Sequence, residues 1–450
     1  MGSPKKVSRR TFLKSAGMVA ASAYLVACAP VAEPSTSSGD DGAASESQVT
    51  LTLTHWGGES EATYMQSLAD NFMEANPSIS MDVVQFPANY DEKLLTMIAG
   101  GTPPDVQMTL RFTYFNFVAK GVVINLQPYL DATDFDPDQY YEVGLRPYTF
   151  RENLYGLPRE IDEWVIFYNK NLFDEAGVPY PSGDWTWDDL TTNAQALTKR
   201  DDEGRATQFG YGFAHLGGAK AFDGFVYQAG GRLVDNEDDP TKFMMAEPEA
   251  VAGVQFMADL ANEYGIMPSP RERNDLGSVN DLFVSGKIAM RYGEFWSNLQ
   301  FQQIEDFEWD IAAPAQGAQQ ATWVGGACYT VSSQTDFTDE AVQYAIYASG
   351  PEGSTVVAEN LAGVPSVKAV AESPTFLENT PPDNLQVTLD VFDYGVQPPM
   401  LPTFSEWNRL IQSALDPVWT GEQTAEAALT AIAEEAQGFI DQGQEMLKDI

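Results

Sequence analysis

Residues 49–110 read VTLTLTHWGGESEATYMQSLADNFMEANPSISMDVVQFPANYDEKLLTMIAGGTPPDVQMTL, and the periodicity of this stretch decides the fold. Val49 to Thr54 alternates apolar and polar residues, which predicts a strand with one buried face, and His55-Trp56-Gly57-Gly58 follows as a loop. Met65, Leu68, Ala69, Phe72 and Met73 then recur at helical spacing, giving a helix with one apolar stripe that Asn76-Pro77 ends. A second strand spans Met81 to Phe86 and a second helix Tyr90 to Ala99, stopped by Gly100 and Gly101. Pro104-Asp105 opens a third strand through Leu110. The order β-α-β-α-β implies a parallel sheet with helices on its faces, and ligand sites beyond the carboxyl ends of its strands.

The pattern resumes further on. Trp164 to Tyr168 is strand-like, Asp188 to Lys199 is helical after the Trp185-Thr186-Trp187 turn, and Ile288 to Arg291 and Trp309 to Ala312 read as short strands. The segment from Ser405 to Ile450 reads as several helices, with Leu410, Ile411 and Leu415 on one face. A chain of 450 residues exceeds one ordinary core, so two α/β lobes are expected. Its 25 Lys and Arg face 65 Asp and Glu, a net charge of −40 that would repel a phosphate backbone and excludes nucleic acid as a partner. Hydrophobic residues still make up 44% of the chain, so it folds rather than remaining an acidic polymer. Two Cys and two His are too few for a disulfide scaffold or a His- or Cys-rich metal cluster.

The first residues form an address. Lys5, Lys6, Arg9, Arg10 and Lys14 precede the small-residue apolar stretch Ala16 to Ala27, which is too short to span a bilayer. Ser8-Arg9-Arg10-Thr11-Phe12-Leu13-Lys14 resembles the twin-arginine export motif, and Leu25-Val26-Ala27-Cys28 resembles a lipobox. These resemblances imply export in the folded state, cleavage after residue 27 and a lipid on Cys28. Residues 28–48 then read as a flexible tether, rich in small and polar residues. Cys328 is left unpaired, as a small buried hydrophobe. Removing the five leader cations leaves 20 basic against 65 acidic residues, a net of −45.

Several segments of 49–450 resemble the extracellular solute-binding proteins of ATP-binding-cassette importers, in the carbohydrate-binding group that includes maltose-binding protein. The segments are Gly100-Gly101-Thr102-Pro103-Pro104-Asp105-Val106, Tyr155-Gly156-Leu157-Pro158 with Phe167 to Phe173, Trp185-Thr186-Trp187-Asp188-Asp189-Leu190, and Phe283-Val284-Ser285-Gly286-Lys287-Ile288-Ala289-Met290. Gly and Pro pairs there set turns at strand ends, and Gly286 terminates a helix. The resemblance implies an α/β, two-lobed periplasmic-binding-protein type II fold with a hinge and an inter-lobe ligand cleft. It places one lobe at 49–160 plus about 331–375 and the other at 161–330 plus about 376–450. It further implies a monomer without cofactor, metal or catalytic residues, lipid-anchored on the outer face of the membrane, whose partners are a permease and its ATPase.

A pyranose offers apolar C–H faces and a rim of hydroxyls, so its site calls for flat aromatics and planar polar groups. Among nine Trp, Trp56, Trp296 and Trp323 lie in loops where the family contacts ligand, while Trp187 and Trp309 read as packing and Trp407 stays open. For the hydroxyl rim, Arg159-Glu160-Ile161-Asp162 lies at the first hinge, and Glu160 and Asp162 share one side of an extended segment. Glu294, Arg111, Gln228, Gly325 and Gly326 complete the candidates. The charged cluster at Arg159 departs from the maltose-binding pattern, so maltose is not carried over.

Serine hydrolase, zinc protease and Walker motifs do not occur. Asp134, Asp136 and Asp138 have calcium-loop spacing, but Gln139 and Leu145 stand where that loop needs Gly and Glu, so they read as loop and helix-capping acids. Two rivals remain beside sugar capture. One is a secreted glycosidase using Glu160 with Asp162 or Glu294. The other is the same importer role with a glycerophosphodiester or other anion, for which Arg111, Arg159, Arg291 and Arg409 are the available cations.

Overall fold

The computed structural model describes residues 49–214 and 222–448. The expected leader, the Cys28 expected to carry a lipid and the expected tether through residue 48 lie outside the described residues.

The opening stretch folds as its periodicity predicts: β1 (Val49–His55), α1 (Glu59–Ala75), β2 (Ile79–Gln85), α2 (Tyr90–Ala99) and β3 (Val106–Leu110). β1 pairs in parallel with both β2 and β3. The α1 stripe of Met65, Leu68, Ala69 and Phe72 is buried against Leu51, Leu53, Val106 and Met108. The Asn76 side chain closes the helix on the Phe72 carbonyl. α3 (Arg111–Ala119) follows β3 directly.

β4 (Leu157–Asn169) is thirteen residues long and buried throughout. It crosses from one half of the molecule to the other by changing neighbours. Leu157 to Glu163 pair with β8 (Thr322–Val331), and Trp164 to Tyr168 pair with β6 (Ile288–Glu294). Between them in sequence lie α4 (Trp187–Leu197), β5 (Ala206–Phe213), α5 (Asp223–Gln228), α6 (Pro248–Asn262) and β7 (Trp309–Ala312). The sheet runs β2-β1-β3-β8-β4-β6-β5, ending on the short edge Lys199–Arg200. β7 pairs with β4, and β9 (Gly395–Val396) with β8. After β8 come α7 (Thr338–Ser349), α8 (Pro351–Asn360) and the paired helices α9 (Phe404–Trp419) and α10 (Ala425–Met446).

Two large cores flank the crossing strands. One gathers β1, β2, β3 and α1 with Tyr329, Tyr344 and Ala345 from β8 and α7. The other gathers α4, α5 and α6 with Trp407, Ile411, Leu415 and Ile440 from α9 and α10. β4 serves apolar surfaces on both faces: Trp164, Ile166 and Tyr168 point into the second core, while Ile161, Val165 and Phe167 enter a third cluster with Phe283 and Phe301. A strand covered on both faces carries no exposed polar row, which is why it is buried along its length.

Local signals behave as their chemistry requires. Thr186 and Asp189 form a capping box at α4, Gly286 sits at φ +67° before β6, and Asp136 accepts from the Asp138 N–H at a short helical turn. Trp187 stacks flat on Phe256, with centroids 3.9 Å apart. Trp309 is buried in the third cluster, Trp407 in the second core, and Cys328 is buried and unbridged. Glu434 and Glu435 face solvent on α10.

Candidate functional site

The charged run on β4 is organised by a β-bulge. Glu160 pairs with Ala327 of β8 and Pro158 with Cys328, leaving Arg159 as the extra residue. Successive strand residues point to opposite faces, but a bulge turns two the same way, so the Arg159 Nε reaches the carboxylate of its neighbour Glu160. Its Nη1 pairs with Glu61 of α1 and donates to the Tyr64 hydroxyl at 2.9 Å. The other Glu160 oxygen accepts from the Ala327 N–H at 3.1 Å. Burial opposes the charge on Arg159, yet Glu160, Tyr64 and Glu61 outweigh it and hold the guanidinium protonated above its ordinary range. Burial pushes the Glu160 carboxyl up, against the pull of Arg159.

Asp162 is buried and stands opposite Gly325, and Ile161 opposite Gly326. Glu160 and Asp162 therefore sit two residues apart on β4, on the charged side of the bulge. Both glycines are sterically required. A Cβ on Gly325 would collide with the Trp323 ring, and Gly326 has φ +143° with the Glu160 carbonyl where its Cβ would be. The sequence reading passed over Glu163. It is fully buried on the face of Ile161 and Val165, and neither carboxyl oxygen has a side-chain partner among the described residues. Burial raises this carboxyl well above the ordinary range, Asp162 adds to the rise, and its own backbone N–H offsets it only in part.

The remaining candidates separate by exposure. Trp296 follows β6 and is 42% exposed, whereas Trp323 is 1% exposed, lying in the second core near Phe112 and Trp164. Trp56 is half-buried, edge-on to Tyr90 with centroids 5.2 Å apart. Glu294 is buried and accepts from Arg291 at 3.1 Å, while that guanidinium also donates to Ser297 and Asn280 and faces the Phe167 ring. Gln228 is satisfied internally: its Oε1 accepts from Trp187 Nε1 and its Nε2 donates to the Ala321 carbonyl. Arg111 donates to the Pro398 carbonyl, and burial pushes its pKa down to about 10. Among the described residues no group of three or more His, Cys, Asp or Glu is arranged to hold a metal, and no helix is long and apolar enough to cross a membrane.

Two cavities border segments from both cores. One of about 390 Å³ is lined by Arg146, Tyr227, Arg232, Glu237, Gln319 and Gln397, and one of about 480 Å³ by Arg146, Phe150, Arg151, Asp238, Met400 and Gln444, among others. None of the residues named from the sequence lines either. The cavities depend on contacts between residues some ninety to three hundred positions apart, for which a single sequence carries no periodic signal.

This architecture is shared with solved binding proteins. The ABC substrate-binding protein of Listeria monocytogenes in complex with cycloalternan superposes with a TM-score of 0.78 at 27% identity, covering 88% of this chain and 99% of that one. Maltose-bound MalE3 of T. maritima gives 0.75 at 21%, covering 87% and 99%. The fold is thus the two-lobed α/β fold of these proteins, its sheet curled into a half-barrel. The family described as bacterial extracellular solute-binding protein matches residues 56–355, and the chain belongs to that family. The galactooligosaccharide-binding protein of Bacillus subtilis is 23% identical over 94% of this chain and 95% of its own length. The sn-glycerol-3-phosphate-binding periplasmic protein UgpB of Salmonella typhimurium is 22% identical over 85% and 89%. These relatives are binding proteins rather than enzymes.

Proposed function

We propose that this chain captures a sugar or oligosaccharide between two lobes, outside the cytoplasm, and delivers it to the permease and ATPase of an ABC importer. It acts as a monomer, anchored through a lipid on Cys28 after twin-arginine export and cleavage of residues 1–27, with 28–48 as tether. The lobes are 49–160 plus about 331–375 and 161–330 plus about 376–450, a division supported by the separate sequence origins of the two large cores.

The observation that carries the sugar reading is Trp296. It is the one Trp among the described residues with a large exposed ring, held at the end of a buried strand beside Glu294. An indole face is costly to leave in water and fits the C–H face of a pyranose, while Trp56, Asp162 and the bare backbone of Gly325 and Gly326 supply the rest of the surface and rim. A ligand that touches both lobes stabilises the closed form by contacts the open form lacks.

The relationship to glycerol-3-phosphate-binding relatives favours a second reading, a glycerophosphodiester ligand. Three of the four cations that reading could use are engaged inside the fold, Arg159 with Glu61 and Glu160, Arg291 with Glu294, and one Arg111 nitrogen with the Pro398 carbonyl, while Arg409 is exposed on α9. Calorimetry against mono- and oligosaccharides and glycerophosphodiesters decides between the two. Binding to a sugar is expected, and binding only to a phosphodiester would overturn it. Release of the protein into the medium by Cys28→Ala tests the anchor.

A further inference from the structure

We propose that Arg159 is a positioning residue for ligand capture: by bridging Glu61 and Glu160 it fixes the Trp56-Gly57-Gly58 loop to the crossing strands. The inference rests on the reading of Trp56 as a ligand contact, and it moves Arg159 from the ligand rim to the support behind it.

The loop leaves β1 at His55 and enters α1 at Glu59, so Glu61 is the third residue of the helix the loop initiates. Gly57 takes φ +77°, and the Glu61 side chain packs where its Cβ would stand, so that carboxylate lies directly against the loop backbone. Gln85 of β2 holds the other side, its Nε2 donating to the carbonyls of Gly57 at 2.8 Å and Gly58 at 3.1 Å. Arg159 takes Glu61 on Nη1 and Glu160 on Nε. Glu160 in turn grips the Ala327 N–H of β8, and Gly363 leaves room for its methylenes, since a Cβ there would strike Glu160. Glu61 thus packs on the loop, and from it a chain of polar contacts runs through Arg159 and Glu160 to both crossing strands.

Two features show that the guanidinium serves this chain. It is more than nine-tenths buried, with Tyr64 and the Met108 sulfur on its inner side. The bulge at Arg159 turns its side chain to the side of Glu160 and so sets the guanidinium between the Glu160 and Glu61 carboxylates. His55, next to the loop, is buried with Nδ1 unpartnered among the described residues, and burial lowers its pKa, so it stays neutral and Arg159 is the cation shared by the two carboxylates. Geometric, two-sided bonding of this kind is what a guanidinium offers and an ammonium does not.

Two variants test this in the full chain. Glu61→Gln cuts only the loop arm and leaves Arg159 paired with Glu160, so the fold is retained. Arg159→Lys keeps the charge but not the span. Hydrogen–deuterium exchange of the ligand-free protein is expected to rise at least tenfold in residues 55–61 in both variants, with other segments unchanged. Affinity, measured by calorimetry for each sugar that the wild type binds, is expected to fall at least tenfold and by a similar factor for all of them. Unchanged exchange in the loop, or a rise spread evenly over the protein, would overturn the proposal, as would loss of one sugar with retention of others, which marks direct contact. If Arg159→Lys does not fold, Glu61→Gln decides alone. Because exchange needs no ligand, failure of the sugar reading leaves this test intact.

Discussion

Arg146 and Asp238 join parts of the chain that belong to different cores. The guanidinium donates Nη2 to the Asp238 carboxylate at 2.8 Å and Nε at 3.2 Å. Arg146 follows Leu145 of the first core, and Asp238 lies on the excursion between Val234 and Phe243 of the second. Both side chains are nearly half exposed, so solvent screens the pair and it is worth at most about 1 kcal/mol. Replacing either residue by Ala is expected to lower ligand affinity by no more than about fivefold, the factor that energy allows. A double-mutant cycle in thermal stability should show a coupling that disappears in 0.5 M NaCl. A coupling that survives salt would mean that the pair is shielded.

Trp296 and Trp323 should respond in opposite ways. Trp296→Ala removes an exposed ring and is expected to cut sugar affinity at least tenfold with little change in melting temperature. Trp323→Ala empties a core position near Phe112 and Trp164 and should destabilise by about 3–5 kcal/mol. Calorimetry and thermal unfolding of the two variants check this, and a stability loss at Trp296 would assign it to packing.

Gly326→Ala is expected to destabilise by about 2–4 kcal/mol, since the new methyl meets the Glu160 carbonyl and the backbone is held at φ +143°. Denaturant unfolding gives the number. A change below about 0.5 kcal/mol would show that β8 shifts freely against β4 here.

Glu163 predicts a pH dependence. Burial holds its carboxyl well above the ordinary carboxylate range in the folded protein, whereas the unfolded chain ionises it near pH 4.3. The unfolded state therefore binds fewer protons above that pH, and this group's contribution becomes more destabilising as pH rises toward its folded pKa. Glu163→Gln removes the effect. Its melting temperature should exceed that of the wild type at pH 8, with the difference shrinking toward pH 4.5. A constant difference across that range would show that Glu163 is ionised in the fold.

The parts of the fold legible in the sequence are those with local causes. The α1 stripe, the alternation of β1 and the capping Thr186 are all consequences of near neighbours. β4 was legible only from Trp164 to Tyr168, because Arg159, Glu160, Asp162 and Glu163 break the apolar run that marks a buried strand. Their burial depends on β8, which arrives some 160 residues later, and on Glu61, about a hundred residues earlier. The same limit explains the tryptophans. Nothing in the residues next to Trp296 or Trp323 marks one as packed and the other as open; the rings of Phe112 and Trp164, distant in sequence, cover Trp323.

The place of β8 between β3 and β4 has a consequence for synthesis. The first three strands and β4 have all been synthesised by residue 169, yet the strand that joins β3 to β4 ends at residue 331. Until then β3 and β4 each present an open edge, the kind of surface that pairs with other chains. The sheet is completed late, by a long-range insertion rather than by vectorial addition. Such high contact order makes for slow folding, with a long interval in which the nascent chain needs protection from its neighbours.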